Sequence, residues 1–205
     1  MNTAYIFCKS FDLCKNKITI EPGLYIAADS GIETAEKLNI TPNVIIGDFD
    51  SACAERLKGH KNIITYSAQK DDTDSMLAVK YALERGCKNI TIVGGTGGRI
   101  DHTLANLSML KYIKTRGGTG TLTDGFNRVS YISGGETVRV YKDYKYISIL
   151  PVSAELSGVT LQGFLYNLDN ACVNFAMPYT VSNQVAGEYG EIVITQGEAY
   201  ICECD

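Results

Sequence analysis

Hydrophobic and polar positions follow two different rhythms along the 205 residues. Up to about residue 115, short β-rich apolar runs alternate with segments of helical periodicity. "AYIFC" and "LYIAAD" precede "SGIETAEKLN"; "NVIIGD" precedes a short polar run; "NIITYS" precedes "DSMLAVKYALERG"; "NITIVGG" precedes "RIDHTLANLSMLKYIK". Repeated strand-helix units predict a parallel sheet covered by helices. From about residue 119 the runs become short and alternating, separated by Gly, Asn and Asp: "TGTLTD", "RVSYIS", "ETVRVYK", "YKYISILPV", "GVTLQG", "YTVSNQV" and "GEIVITQGEAYICEC". Evenly spaced strands with turn signals predict an antiparallel sandwich or barrel, with a helix considered only at 168–177. The expected fold is therefore α/β plus all-β: an N-terminal parallel-sheet domain over 1–130 and a C-terminal antiparallel β-sandwich over 131–205. Neither a flexible linker nor an internal repeat separates them.

Composition narrows the partners. A hydrophobic content of 45% with 20% charged residues is that of a globular protein able to bury a core. The net charge of −4, with no Lys/Arg block, gives no electrostatic support to a duplex-binding or membrane-surface role and favours a small-molecule partner. Seven cysteines form no CxxC pair, and no charged segment followed by a long apolar stretch opens the chain. Reduced thiols and a cytoplasmic location are the expectation. Cys202 and Cys204 share one face of a strand, a packing arrangement, since zinc would need further ligands.

The chemistry concentrates at strand-to-helix junctions: Asp29 after "YIAA", Asp48 and Asp50 after "NVIIG", Asp71, Asp72 and Asp74 before "SMLAVK", and Asp101 after "GGRI". In a parallel sheet these loops meet beyond the carboxyl ends of the strands, where ligands bind. Converging carboxylates repel unless a cation lies between them. Hard Mg²⁺ suits such oxygen donors and commonly links one or two carboxylates to substrate phosphates. Helix capping is the competing account of "KDDTD": Asp72 or Thr73 caps the helix at 74–85, and Asp74 complements its dipole.

"IVGGTGGRIDH" is a glycine-rich turn from strand to helix, suited to phosphate approach, yet it matches neither G-x-G-x-x-G nor Walker A. In the helix that follows, Ile100, Leu104, Leu107 and Leu110 or Met109 form an expected apolar stripe. Arg99, His102 or Thr103, and Asn106 fall on a polar face. A guanidinium at 99 can clamp phosphate oxygens with two parallel bonds, whereas a single His is commonly structural.

Taken in order, "AADSG" (27–31), "GDFDS" (47–51), "KDDTD" (70–74) and "GGRIDH" (97–102) with Asn106 resemble the thiamine pyrophosphokinase family. The resemblance extends to "GFLYNL" (163–168) and "VSNQV" (181–185). It implies transfer of pyrophosphate from ATP to the hydroxyl of thiamine, with Mg²⁺, giving thiamine diphosphate and AMP. It also implies a homodimer whose active sites are shared between subunits. Carried over by motif, Asp48, Asp50, Asp71, Asp74 and Asp101 form the catalytic, Mg²⁺-organising set with Arg99. Asp29, Ser30, Gly97, Gly98 and Asn106 contact the nucleotide, and Ser182 and Asn183 contact thiamine. The chain has no tryptophan, so the residue stacking on thiamine is not assigned. Two other readings remain open: a pyrophosphokinase for another heterocyclic alcohol such as a hydroxymethylpterin, and a non-catalytic nucleotide-binding module.

Overall fold

The computed structural model describes residues 2–48, 57, 59, 60, 62–65 and 71–205. Its backbone contacts separate into two units, Met1–Phe126 and Asn127–Asp205. The division falls just before a strand that contains residue 130, the position of the expected boundary.

The first unit is a parallel sheet built from β1 (Thr3–Phe7), β2 (Leu24–Ala28), β3 (Val44–Gly47), β4 (Ile63–Thr65), β5 (Asn89–Val93) and β6 (Thr119–Thr123). Every pairing among them is parallel, in the spatial order β4-β3-β2-β1-β5-β6. Parallel strands are covered on both faces and therefore read as continuous apolar runs, as β3 "VIIG" does with every residue buried. The chain leaves β1 in one direction to lay down β2, β3 and β4, then returns to place β5 on the other side. That reversal makes the β1/β5 boundary a topological switch point, where loops diverge and leave a crevice.

Three helices, α1 (Ile32–Lys37), α2 (Asp74–Glu84) and α3 (Ile100–Thr115), accompany the described strands. Thr73 caps α2, its hydroxyl accepting the Met76 N–H at 3.2 Å, so one predicted capping residue is identified. Asp72 instead accepts a 2.5 Å bond from the Lys80 ammonium. In α3 the buried residues are Asn106, Met109, Leu110 and Ile113, while Ile100 and Leu104 are 71% and 59% exposed. The expected apolar stripe therefore fails in the first turns: the helix is buried only from Asn106 onward.

Two further expectations are corrected. "TGTLTD" belongs to the parallel sheet as β6, paired with β5, since α3 returns the chain alongside its predecessor in a strand-helix-strand crossover. Residues 168–177 form no helix; Leu168–Asn174 is a strand paired antiparallel with its neighbour.

The second unit contains β7 (Asn127–Ser133), β8 (Glu136–Tyr141), β9 (Tyr146–Pro151), β10 (Glu155–Gln162), β11 (Leu168–Asn174), β12 (Tyr189–Ile194) and β13 (Glu198–Cys204). Antiparallel pairings link β7-β13-β9 in one layer and β11-β10-β12-β8 in the other. Alternate residues of both layers meet in one core that includes Ile132, Ile149, Leu161, Val173, Ile192 and Ile201. On β13 the alternation is complete: Ala199, Ile201 and Glu203 are buried, with intermediate residues between them. "YTVSNQV" is not a strand; Asn183 and Val185 make isolated bridges to Ile147 and Phe164. Ser182, at φ 61°, interrupts the extended path.

Among the described residues no cysteine forms a disulfide, and no helix is long and apolar enough to cross a membrane.

Candidate active site

A cleft of about 410 Å³ opens within the first unit at the carboxyl ends of β1 and β2 and beside the loop after β5. This is the crevice expected of the β1/β5 switch point. Asp29 and Ser30 wall it at the end of β2, and Thr73, Asp74 and Ser75 at the start of α2. Gly95, Thr96, Gly97 and Arg99 enter from the loop before α3, followed by His102 and Asn106 on the helix. The amino ends of α2 and α3 are thus turned toward the cleft, where their unpaired N–H groups and dipoles favour anions.

The loop is shaped by glycines at φ 82° (Gly94), 78° (Gly95), 78° (Gly97) and 64° (Gly98). At Gly95 a Cβ would stand 2.6 Å from the Asn106 amide nitrogen, which donates to the Gly95 carbonyl at 2.8 Å. The buried face of Asn106, read from sequence as a polar surface, thus holds the loop against the helix. The Thr96 hydroxyl donates to Asp124 at 2.6 Å, and Gly95 N–H donates to the Lys9 carbonyl at 2.9 Å. The loop is therefore tied to α3, to the end of β6 and to the end of β1.

Asp29 sits at φ 48°, a left-handed conformation uncommon for a side chain larger than glycine. Aspartate tolerates it better than most residues, and here it turns the chain directly from β2 into a 3₁₀ turn over Asp29–Gly31. Arg99 grips Asp101 with two bonds, Nε to Oδ1 at 3.1 Å and Nη2 to Oδ2 at 2.5 Å. This pairing, helped by the His102 N–H, holds the Asp101 carboxyl below its ordinary pKa. Both groups are exposed, so solvent screens the pair.

Not all expected carboxylates meet at the cleft wall. Asp74 lines it, whereas Asp48 lies exposed just past β3 and Asp71 lies exposed before α2. Asp101 is turned onto Arg99, and Asp50 falls outside the described residues. Gly97 lines the cleft, and Gly98 supports the ring of Phe11. Among the described residues no three His, Cys, Asp or Glu side chains are grouped closely enough to hold a metal alone. The hard carboxylate oxygens of Asp29 and Asp74 nevertheless fit a Mg²⁺ ion that shares phosphate oxygens, which requires only one or two carboxylates.

Sequence reasoning missed Cys8, Lys9 and Phe11 at the end of β1, all lining the cleft, and Asp124, which orients Thr96. The signal for the first three was their place directly after an apolar strand. Asp124 was obscured by assigning "TLTD" to the antiparallel half. Burial pushes the Cys8 thiol up to about 11, with the Asp74 charge adding to the effect against an opposing bond to Ser75. Cys8 is consequently a protonated wall of the cleft at neutral pH and no nucleophile.

In the second unit, Asn183 is 6% exposed. It borders a cavity of about 80 Å³ with Leu161, Tyr166, Leu168 and Tyr179. Its Oδ1 accepts N–H groups of Tyr166 at 3.1 Å and Gln184 at 2.9 Å, and its Nδ2 donates to the Tyr166 carbonyl at 2.7 Å. Ser182 is exposed, and its N–H donates to Ser148 at 2.9 Å.

A doubly wound parallel unit with an acidic, glycine-lined cleft at its switch point, followed in the chain by an antiparallel sandwich, defines a two-part α/β and all-β class with a site suited to phosphorylated ligands. Residues 16–118 match the family model described as thiamin pyrophosphokinase, catalytic domain, and residues 136–199 match thiamin pyrophosphokinase, vitamin B1 binding domain. The chain belongs to the thiamine pyrophosphokinase family. It is 34% identical to the thiamine pyrophosphokinase of Bacillus subtilis, over 87% of this chain and 86% of that protein. The crystal structure of thiamine pyrophosphokinase from Bacillus subtilis superposes with a TM-score of 0.84 at 30% identity, covering 98% of each chain. That of the thiamin pyrophosphokinase family protein from Enterococcus faecalis gives 0.83 at 28% identity, covering 99% of this chain and 98% of the other.

Proposed function

We propose that this chain transfers the pyrophosphoryl group of ATP to the hydroxyl of thiamine, giving thiamine diphosphate and AMP. The observation that carries the reading is the cleft itself. Two helix amino ends, a loop of positive-φ glycines and the carboxylates of Asp29 and Asp74 surround one space in a member of this family. Such a space accommodates a triphosphate and the metal that accompanies it.

In the reaction the thiamine hydroxyl oxygen attacks the β-phosphorus. The bond from that phosphorus to the α,β-bridging oxygen breaks, AMP leaves with the oxygen, and the hydroxyl proton passes to a carboxylate or to water. Phosphoryl transfer of this kind depends chiefly on alignment and on stabilising charge at the phosphate oxygens. Mg²⁺, when bound, neutralises part of that charge. Asp29 and Asp74 would hold it from the cleft wall, and Asp48, Asp71 and Asp101, with Asp50 carried over by motif, would be its further carboxylates. Loop N–H groups at 96–98 and at the start of α3 would orient the phosphates. Arg99, once released from Asp101, offers them a planar pair of donors.

The first unit would carry nucleotide and metal, and the second thiamine binding and dimerisation. Asn183 serves the thiamine site by fixing the loop at 164–167, while Ser182 presents its exposed hydroxyl. Leu165, Tyr166, Phe175, Met177, Tyr179 and Val181, all at least 50% exposed, form an apolar surface suited to pairing with a second copy. A homodimer whose sites draw on both copies, working in the cytoplasm, completes the reading.

Incubation with Mg-ATP and thiamine tests it. AMP and thiamine diphosphate should appear in equal amounts; ADP with thiamine monophosphate would refute pyrophosphoryl transfer.

A further inference from the structure

Lys9 and Phe11 follow β1 and stand on the wall of the cleft, outside every motif that identifies the family. The Lys9 carbonyl receives the Gly95 N–H at 2.9 Å, so its backbone is tied to the glycine loop. Its ammonium lies 5.4 Å from the centroid of the Phe11 ring. That ring is seated on the loop as well: a Cβ at Gly98 would lie 2.4 Å from it. Only a glycine at 98 admits this contact. Phe11 is nonetheless 63% exposed.

The charges around the cleft set Lys9 apart. Arg99 is engaged in two bonds with Asp101, whereas Lys9 has no carboxylate partner among the described residues. A cation over an exposed aromatic face gains little, enough to bias the direction of a long side chain but too little to compete with phosphate oxygens. Lysine serves phosphate as a point charge with three donors and needs no fixed approach angle.

Resting on the nucleotide reading of the cleft, we infer that Lys9 is a positioning residue for the phosphate chain of ATP, with Phe11 holding its ammonium toward the glycine loop until the nucleotide arrives. The triphosphate then receives a positive charge from the β1 side and N–H groups from the loop and α3. The carboxylates of Asp29 and Asp74 remain for the metal.

The test uses the full chain and the variants Lys9→Met, which keeps length and packing without charge, and Lys9→Arg, which keeps the charge. Calorimetry with a non-hydrolysable ATP analogue and Mg²⁺ should give a Kd about tenfold weaker for Lys9→Met, close to wild type for Lys9→Arg. The difference should narrow at 0.5 M salt. The KM for ATP should rise in parallel while the KM for thiamine and the ligand-free melting temperature stay unchanged. Equal Kd and KM for wild type and Lys9→Met, or a loss confined to melting temperature, would overturn the assignment. If the wild type binds the analogue without forming AMP from thiamine and ATP, the proposed reaction fails while the Kd comparison still decides Lys9. A wild type that binds no nucleotide overturns both.

Discussion

Asn183 and Tyr166 are joined twice, the asparagine carbonyl accepting the Tyr166 N–H at 3.1 Å and its amide donating to the Tyr166 carbonyl at 2.7 Å. One buried side chain thus substitutes for a strand partner along a loop that no regular strand pairs. Asn183→Ala should lower stability by about 1–3 kcal/mol, the cost of leaving partly buried backbone groups without partners, and raise the thiamine KM through the displaced loop. Urea denaturation beside steady-state kinetics checks this; an unchanged midpoint with a raised KM would reduce Asn183 to a simple ligand contact.

Arg99→Lys should lower turnover at least tenfold and leave the melting temperature within experimental scatter. The side chain is exposed and, among the described residues, pairs with its exposed neighbour Asp101, a pairing that adds little to stability. Its geometric contribution is the fork, which an ammonium lacks. A fall in melting temperature with normal turnover would place Arg99 in the scaffold.

Stability should decline above pH 9 through Cys8. Its folded-state pKa is pushed up to about 11, so the buried thiol favours the native state fully below the pKa of an unfolded chain, near 9. That advantage is lost as pH rises through the interval to 11, where the unfolded chain has already released its proton. The loss attributable to this group is about 2–3 kcal/mol. Denaturation midpoints from pH 8 to 11 should slope less steeply for Cys8→Ala, and identical slopes would show that the thiol ionises freely. Cys202, pushed up to about 12 by burial, retains part of the slope in both proteins.

Glu203 should matter far more than Asp143, although both contact Arg128. Glu203 is 5% exposed. It stands directly opposite Arg128 across β13 and β7 and accepts two bonds from it, at 2.7 and 2.6 Å. Asp143 is exposed and lies 3.2 Å away. Glu203→Ala should cost about 3 kcal/mol because it leaves a half-buried guanidinium short of charge compensation. Asp143→Ala should cost less than about 1 kcal/mol. Chemical denaturation of both variants gives the comparison, and equal losses would contradict the burial argument.

Much of this architecture was legible in the pattern of residues. Strands buried on both faces advertise themselves as unbroken apolar runs, as in "AYIFC" and "NVIIGD", and sandwich strands as alternation, as in "EAYICEC". Asp29, Asp74 and Gly97 could be placed at the cleft because strand-to-helix junctions of a parallel sheet share one edge. Asn106 was legible as a residue near the cleft but not as the one that holds the glycine loop, since helical periodicity names a face without naming what lies against it.

Local periodicity and strand-end chemistry settled the class of fold, the order of its parts and the loops that line the cleft, because each depends on neighbours a few residues apart. Tertiary structure decided the rest. Pairing with β5 drew "TGTLTD" into the parallel sheet and brought Asp124 to Thr96. The reversal of strand order at β1 set Lys9 and Phe11 beside a loop more than eighty positions later in the chain. A left-handed Ser182 turned an apparent strand into a loop pinned by isolated bridges and by the Asn183 side chain. Each outcome rests on contacts between distant segments, whose energies are absent from any short window of sequence.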